Sequence, residues 1–158
     1  MSYLHLNEKS GSLKIYMFIF VYLHLNMKKF RYRFQVGKEH IDSYGHVNNA
    51  RYLDLFEEAR WAILDQSNLG REEVRLGGIG PVILEVNLIF RQEILEGEEI
   101  IIETDSENLG DRIFYFNQSM ENSKGELCCK ARFKSALFDL NTRKMIKAEG
   151  KWLKAFGF

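Results

Sequence analysis

The sequence predicts an α+β fold, one long helix lying on an antiparallel sheet, and three observations carry that prediction. A single amphipathic helical pattern runs from about Asn49 to Asp65. Five segments alternate apolar and polar residues as half-buried strands do, one before the helix and four after it. The last four are joined by turns too short for a crossover, so neighbouring strands must run antiparallel. One helix covers little of a five-stranded sheet, which makes self-association an expectation as well.

The first strand is Phe30 to Val36 (FRYRFQV), where aromatic and basic residues alternate. On the helix, Tyr52, Leu55, Phe56, Ala59, Ala62 and Ile63 form an apolar stripe at helical spacing, widened by Leu53, Trp61 and Leu64. Arg51, Asp54, Glu58 and Asp65 fall away from the stripe. Glu57 and Glu58 with Arg60 read as a solvated face with local ion pairs. The helix would be about 25 Å long, and Asn68 and Gly70 are its stop signals. Gly77 to Pro81 (GGIGP) reads as a turn; it lacks the GxGxxG spacing of a dinucleotide site. The remaining strands are the run Val82 to Phe90, the isoleucine-rich Glu98 to Asp105, Arg112 to Glu121, and Leu127 to Leu140. On the last, Leu127, Cys129, Ala131, Phe133 and Leu137 share one face, and Lys130, Arg132 and Lys134 share the other. Gly97, the stretch 108–111 and the stretch 122–125 supply turns.

The composition narrows the function. Lys plus Arg equals Asp plus Glu at 22 each, so no basic field invites nucleic acid. Of 158 residues 46% are hydrophobic, enough for one domain with a real core. The two cysteines, Cys128 and Cys129, are adjacent and would point to opposite faces of a strand, so they do not bridge each other. With no CxxC pair, a reducing, cytoplasmic setting is expected. The apolar run Ile15 to Leu25 has eleven residues, against roughly 20 for a membrane span, and no small-residue cleavage site follows it. No stable membrane span is expected. Met27 directly precedes the first strand pattern. Residues 1–26, in which YLHLN occurs twice, read as an N-terminal extension that the domain at 27–158 does not need; the rival reading is a membrane-associating or partner-binding arm.

The densest chemistry lies at 40–60, HIDSYGHVNNARYLDLFEEAR. His40, Asp42, Gly45, His46, Asn48 and Asn49 crowd the mouth of the helix, where the first N–H groups lack intrahelical partners and the dipole favours negative charge. Asp42 is either a reacting carboxylate or the acceptor of an Asx-turn. Asn48 is either a helix cap or a substrate contact. His46 either orients Asp42, bonds a substrate or is structural. His40, Asp42 and His46 lack helical ligand spacing, so no metal is expected.

This stretch, followed by VILEVNLIFRQEILEGEEIIIET and FDLNTRKM, resembles the hotdog-fold acyl-CoA thioesterases of the 4-hydroxybenzoyl-CoA thioesterase-like group, over about residues 28–146. The resemblance implies a curved antiparallel sheet wrapped around a central helix. It implies edge-to-edge homodimers, often assembled into homotetramers, with active sites at the dimer interface. By the same resemblance Asp42 takes the catalytic aspartate position, the Asn49 backbone N–H the oxyanion donor position, and Tyr52 the helix wall of the pocket. Gly45 would let the substrate carbonyl approach the backbone. Phe56 and Ala59 would shape the acyl pocket, and Arg91, like Lys130, Arg132 and Lys134, would either meet coenzyme A phosphates or lie on the wet side of the sheet. The segment Val36 to Ile41 and the tail GKWLKAFGF depart from the family pattern, which bears on substrate preference rather than on reaction class.

The implied function is hydrolysis of an acyl-CoA to a carboxylic acid and coenzyme A. Asp42 would be nucleophile or general base, with no cofactor beyond the substrate's own coenzyme A. An acyl carrier protein is the alternative carrier, and a non-catalytic acyl-binding hotdog protein is the alternative class.

Overall fold

The computed structural model describes residues 29–108, 110 and 112–158; the N-terminal extension read from the sequence lies outside them. Strand β1 (Phe30–Gln35) is followed by a single 3-10 turn at Lys38–His40 and the long helix α1 (Asn49–Asp65). A short helix α2 (Arg71–Gly77) leads into β2 (Ile79–Phe90), β3 (Glu99–Asn108), β4 (Ile113–Asn122) and β5 (Leu127–Asp139). A three-residue strand β6 (Lys144–Ile146) and helix α3 (Lys151–Phe156) close the chain.

The main sheet runs β1-β3-β4-β5-β2 with every pairing antiparallel, and β6 adds to the end of β5. Cross-strand register fixes which residues share a face. Thr104 pairs with Gln118, Gln118 with Ala131, and Phe116 with Phe133. Along β4 burial alternates strictly, with Phe114, Phe116, Gln118 and Met120 buried and their neighbours half-exposed. This inner face receives α1, whose Tyr52, Leu55, Phe56, Ala59, Ile63 and Leu64 are all buried. Phe56 meets the Phe133 ring edge to face at 5.9 Å. Burying each such side chain stabilises by about 1.5–3 kcal/mol, well above what helix propensity supplies.

The outer face is wet and ordered by charge. On β1, Lys29 and Arg31 pair with Glu103, and Arg33 with Glu99. Arg132 on β5 reaches Glu107 and lies 3.9 Å over the Tyr115 ring.

Several sequence expectations need correction. The sheet has a sixth strand, three residues long and too short to show alternation. Helix α2 begins directly after the Gly70 stop, and its seven residues are fewer than two full repeats of the helical period. The expected turn at Gly77 to Pro81 is narrower: Gly77 ends α2, Gly78 caps it at φ 67°, and Pro81 already lies in β2. Proline is tolerated there because β2 is an edge strand. The tail forms α3, whose Trp152 and Phe156 are buried, with Phe156 stacked on Phe114 at 4.4 Å. Leu53, read as part of the apolar face of α1, is 39% exposed. Arg60 is not on a solvated face but buried, while Glu58 pairs with Arg71 and Glu57 accepts from the Trp61 indole.

Both cysteines are free and buried. Burial pushes the Cys129 thiol from 9.0 up to about 12. In the unfolded chain the same thiol ionises near its ordinary value, so from about pH 9 upward the unfolded state sheds a proton that the folded state keeps. Stability contributed by this site is full below that pH and is lost as pH rises. We expect the urea midpoint to fall between pH 9 and 10, and Cys129→Ala to show a shallower fall. Equal slopes for the two proteins would contradict the assignment.

Candidate active site

The crowded loop before α1 is a tight reversal held by its own backbone. Ile41 and Val47 bridge, Asp42 N–H donates to the His46 carbonyl at 3.0 Å, and Gly45 N–H donates to the Asp42 carbonyl at 3.1 Å. Gly45 turns the chain at φ +86°, a conformation that a side chain would strain. Val47 is buried and its N–H donates to the Ile94 carbonyl at 2.9 Å, which ties the loop to the segment after β2. His40 belongs to this scaffold. Its ring packs edge to face on Phe34 at 5.0 Å, and its Nδ1 accepts from Gly37 N–H at 3.1 Å. Asn48 N–H donates to the His40 carbonyl at 2.9 Å, so the loop delivers the chain to the helix in one fixed direction.

At the helix start Asn48 is the N-cap, and its side-chain oxygen accepts from Ala50 N–H at 2.9 Å. The Asn49 N–H next to it has no acceptor among the described residues. The cap thus satisfies one orphan donor and leaves its neighbour open to a ligand oxygen. Asp42 uses Oδ1 to accept from Tyr44 N–H at 2.9 Å in an Asx-turn. His46 Nδ1 stands 3.8 Å from the same oxygen and 3.2 Å from the Val47 carbonyl. Asp42 Oδ2 is bonded to none of the described residues.

Asp42 and Asn49 line one open cleft of about 560 Å³ together with His46, Tyr52 and Arg91. Tyr44, Val47, Phe90, Gln92 and Glu93 complete its wall. The sequence reading missed these five, although Tyr44 sits inside the motif and Phe90 is the last residue of an alternating strand. Tyr44 is 85% exposed and stacks on His46 at the rim. The segment after β2 is fixed where Arg91 and Gln92 N–H groups both donate to the Cys128 carbonyl. Tyr52 packs against Phe90 at 5.0 Å, and its hydroxyl bonds none of the described residues. Burial pushes that hydroxyl up to about 12, so it is a neutral donor throughout the working range.

Three of the predicted site residues lie elsewhere. Gly45 shapes the turn and Asn48 the cap without lining the cleft. Phe56, expected as a pocket wall, is fully buried in the core, because the helical turn carries it onto the face pressed against the sheet. Arg91 lies at the cleft, whereas Lys130 and Arg132 line a separate groove on the outer face of the sheet.

A sheet wrapped on one helix, with a carboxylate and an unpartnered amide at the helix mouth, defines a hotdog-fold thioester hydrolase. Residues 36–156 match the family model described as the thioesterase-like superfamily, and the chain belongs to that family. It is 29% identical over 113 residues to the long-chain acyl-CoA thioesterase FadM of Escherichia coli (strain K12), covering 71% of this chain and 85% of that protein. Among solved structures it is similar to Slr0204, a 1,4-dihydroxy-2-naphthoyl-CoA thioesterase from Synechocystis. That match has a TM-score of 0.75 at 18% identity, over 82% of this chain and 96% of the other. It is also similar to YbaW, a probable thioesterase from Escherichia coli, with a TM-score of 0.69 at 26% identity, over 80% and 96%.

Removing the cap acceptor tests the local design. Asn48→Ala is expected to lower folding stability by about 1 kcal/mol, read as a lower urea midpoint. A midpoint equal to wild type would show that the side chain does not hold the helix start.

Proposed function

We propose that this protein hydrolyses acyl-CoA thioesters, with Asp42 as the reacting carboxylate and the Asn49 amide as the oxyanion donor. One observation carries the reading: Asp42 and Asn49 line the same cleft, and an oxygen of the first and the N–H of the second are bonded to no described residue. Hydrolysis needs an attacking oxygen and a place for charge on the thioester carbonyl oxygen. Asp42 supplies the first in one of two ways. It attacks the carbonyl, breaking the C–S bond to release CoA thiolate and leaving a mixed anhydride that water then cleaves, or it takes a proton from the water that attacks the thioester. The helix N-terminus supplies the second, and a preorganised donor of this kind lowers a barrier by about 3–4 kcal/mol. Tyr44 N–H holds Asp42 in orientation, with His46 Nδ1 3.8 Å away. The likeness to FadM supports an acyl-CoA substrate. An acidic carrier protein finds no basic field at this cleft, where Arg91 stands beside Asp42 and Glu93.

Homo-oligomerisation through the β2 edge belongs to the same proposal. The β1 edge is guarded by Lys29, Arg31 and Arg33, whereas β2 leaves Ile83, Leu84, Val86, Ile89 and Phe90 between 41% and 49% exposed along an edge that is unpaired among the described residues. Native sheets rarely leave such a strand open. A second copy on it would cover these side chains and stand beside Phe90 and Arg91 at the cleft.

Release of free thiol from a panel of aliphatic and aromatic acyl-CoAs tests the activity. Asp42→Ala is expected to cut the rate by about 10²–10⁴-fold. A wild type inactive on every member refutes the CoA reading, and a folded Asp42→Ala with full activity refutes the site. Single-turnover hydrolysis in ¹⁸O-labelled water can establish direct attack, since solvent oxygen reaches Asp42 only through an anhydride hydrolysed at the Asp42 carboxyl carbon.

Val86→Lys tests the assembly. Light scattering is expected to give a dimer or tetramer of the 18.6 kDa chain for wild type and a monomer for the variant. A variant of unchanged mass would move the interface elsewhere.

A further inference from the structure

We infer that Gln118, with Arg60 and Thr104, acts as a positioning device that sets where α1 stands along the sheet, and through it where the Asn49 amide meets the substrate. This rests on the proposed role of Asn49.

Gln118 is 3% exposed at the middle of the inner sheet face. Its Nε2 donates to the Phe56 carbonyl of α1 at 3.2 Å and to Thr104 Oγ1 on β3 at 2.9 Å. Its Oε1 accepts from Arg60 Nη1 at 2.7 Å. The Arg60 guanidinium lies 4.1 Å over the Phe133 ring of β5. One turn of the helix is therefore fastened by directed contacts to β4 and β5, and Thr104 on β3 holds the Gln118 amide in place.

The rest of the helix–sheet contact is apolar, made by Leu55, Phe56, Ala59, Ile63 and Leu64. Such contacts hold the helix down, but they are non-directional and resist sliding only through packing. A hydrogen bond from a side chain rooted in β4 to a helix carbonyl does specify axial position and rotation. Phe56 follows Asn49 by two helical turns, about 10 Å along a stiff rod, so a shift at the carbonyl reappears at the helix mouth. A misplacement of about 1 Å at a reacting group can cost about 10²-fold in rate.

Arg60 makes the arrangement unusual. Burial lowers its guanidinium to about 10, still charged at neutral pH, and among the described residues no carboxylate bonds it. A buried charge of this kind does little for net stability compared with an apolar side chain. It does give a planar group that fits both an amide oxygen and an aromatic face.

Gln118→Met and Thr104→Val remove the directed contacts while keeping much of the volume, and Thr104→Ser keeps the hydroxyl. Kinetics are read well below each variant's melting temperature, on an acyl-CoA that wild type hydrolyses. Gln118→Met is expected to lower kcat by about 10–100-fold with KM within threefold. Thr104→Val should lower kcat by a smaller factor, and Thr104→Ser should stay within threefold of wild type. Amide NMR supplies a readout independent of turnover and of any other variant's folding: the Asn49 and Ala50 resonances should move in Thr104→Val as well as in Gln118→Met. A purely structural role lowers the melting temperature and leaves kcat and these resonances alone. Folded Gln118 or Thr104 variants with wild-type kcat and unmoved Asn49 and Ala50 resonances would overturn the inference. A wild type that hydrolyses no thioester would instead overturn the functional reading, and the resonances would still decide whether the helix is positioned this way.

Discussion

The contact between one face of α1 and the inner face of the sheet is the constraint from which the rest follows. Leu55, Phe56, Ala59 and Ile63 are buried together because the helix lays this face along the sheet, and its N-terminus lies beside the end of β2. Strand alternation then has to place Phe116, Phe133 and Met120 inward and Asn117, Arg132 and Ser119 outward. The loop at 41–47 has to reverse within a few residues to feed a helix whose direction is already fixed. Its polar residues answer that demand first, and the same reversal brings Asp42 and Asn49 to the lining of one cleft.

Much of this was legible in the chain. The bounds of α1 follow from the spacing of its stripe and from Asn48 at its mouth, because amphipathic period and cap act within a few residues of each other. The four later strands were visible because each is long enough to alternate several times. Helix α2, strand β6 and helix α3 were not, since each is shorter than two periods of its own pattern. Arg60 was misread for a different reason. Its neighbours Glu57 and Glu58 have the charges of a solvated face, and nothing local reveals that Gln118, 58 residues away, waits opposite it.

The site was legible in the same uneven way. Asp42, His46, Asn49, Tyr52 and Arg91 line one cleft, while Phe56 turned inward. A heptad-like stripe states which residues are apolar but not which of them border a cavity, and that depends on what stands across from them. Phe90, Gln92 and Glu93 join the cleft from the far side of β2, a meeting set by the Cys128 carbonyl and the Val47–Ile94 contact. Those are tertiary bonds between ordinary backbone groups, which leave no signature in residue type.

The cap at Asn48 has one more implication. Four N–H groups begin the helix without partners; the Asn48 side chain takes the one on Ala50 and leaves the one on Asn49 vacant. Firmness and reactivity are therefore drawn from a single small supply. If the Asn49 amide has the role proposed for it, a substitution in the loop that offered a second acceptor to the helix would make the fold harder to melt and the mouth of the helix chemically mute. Random improvement of thermal tolerance in this protein should for that reason avoid the very residues where helix design would ordinarily begin.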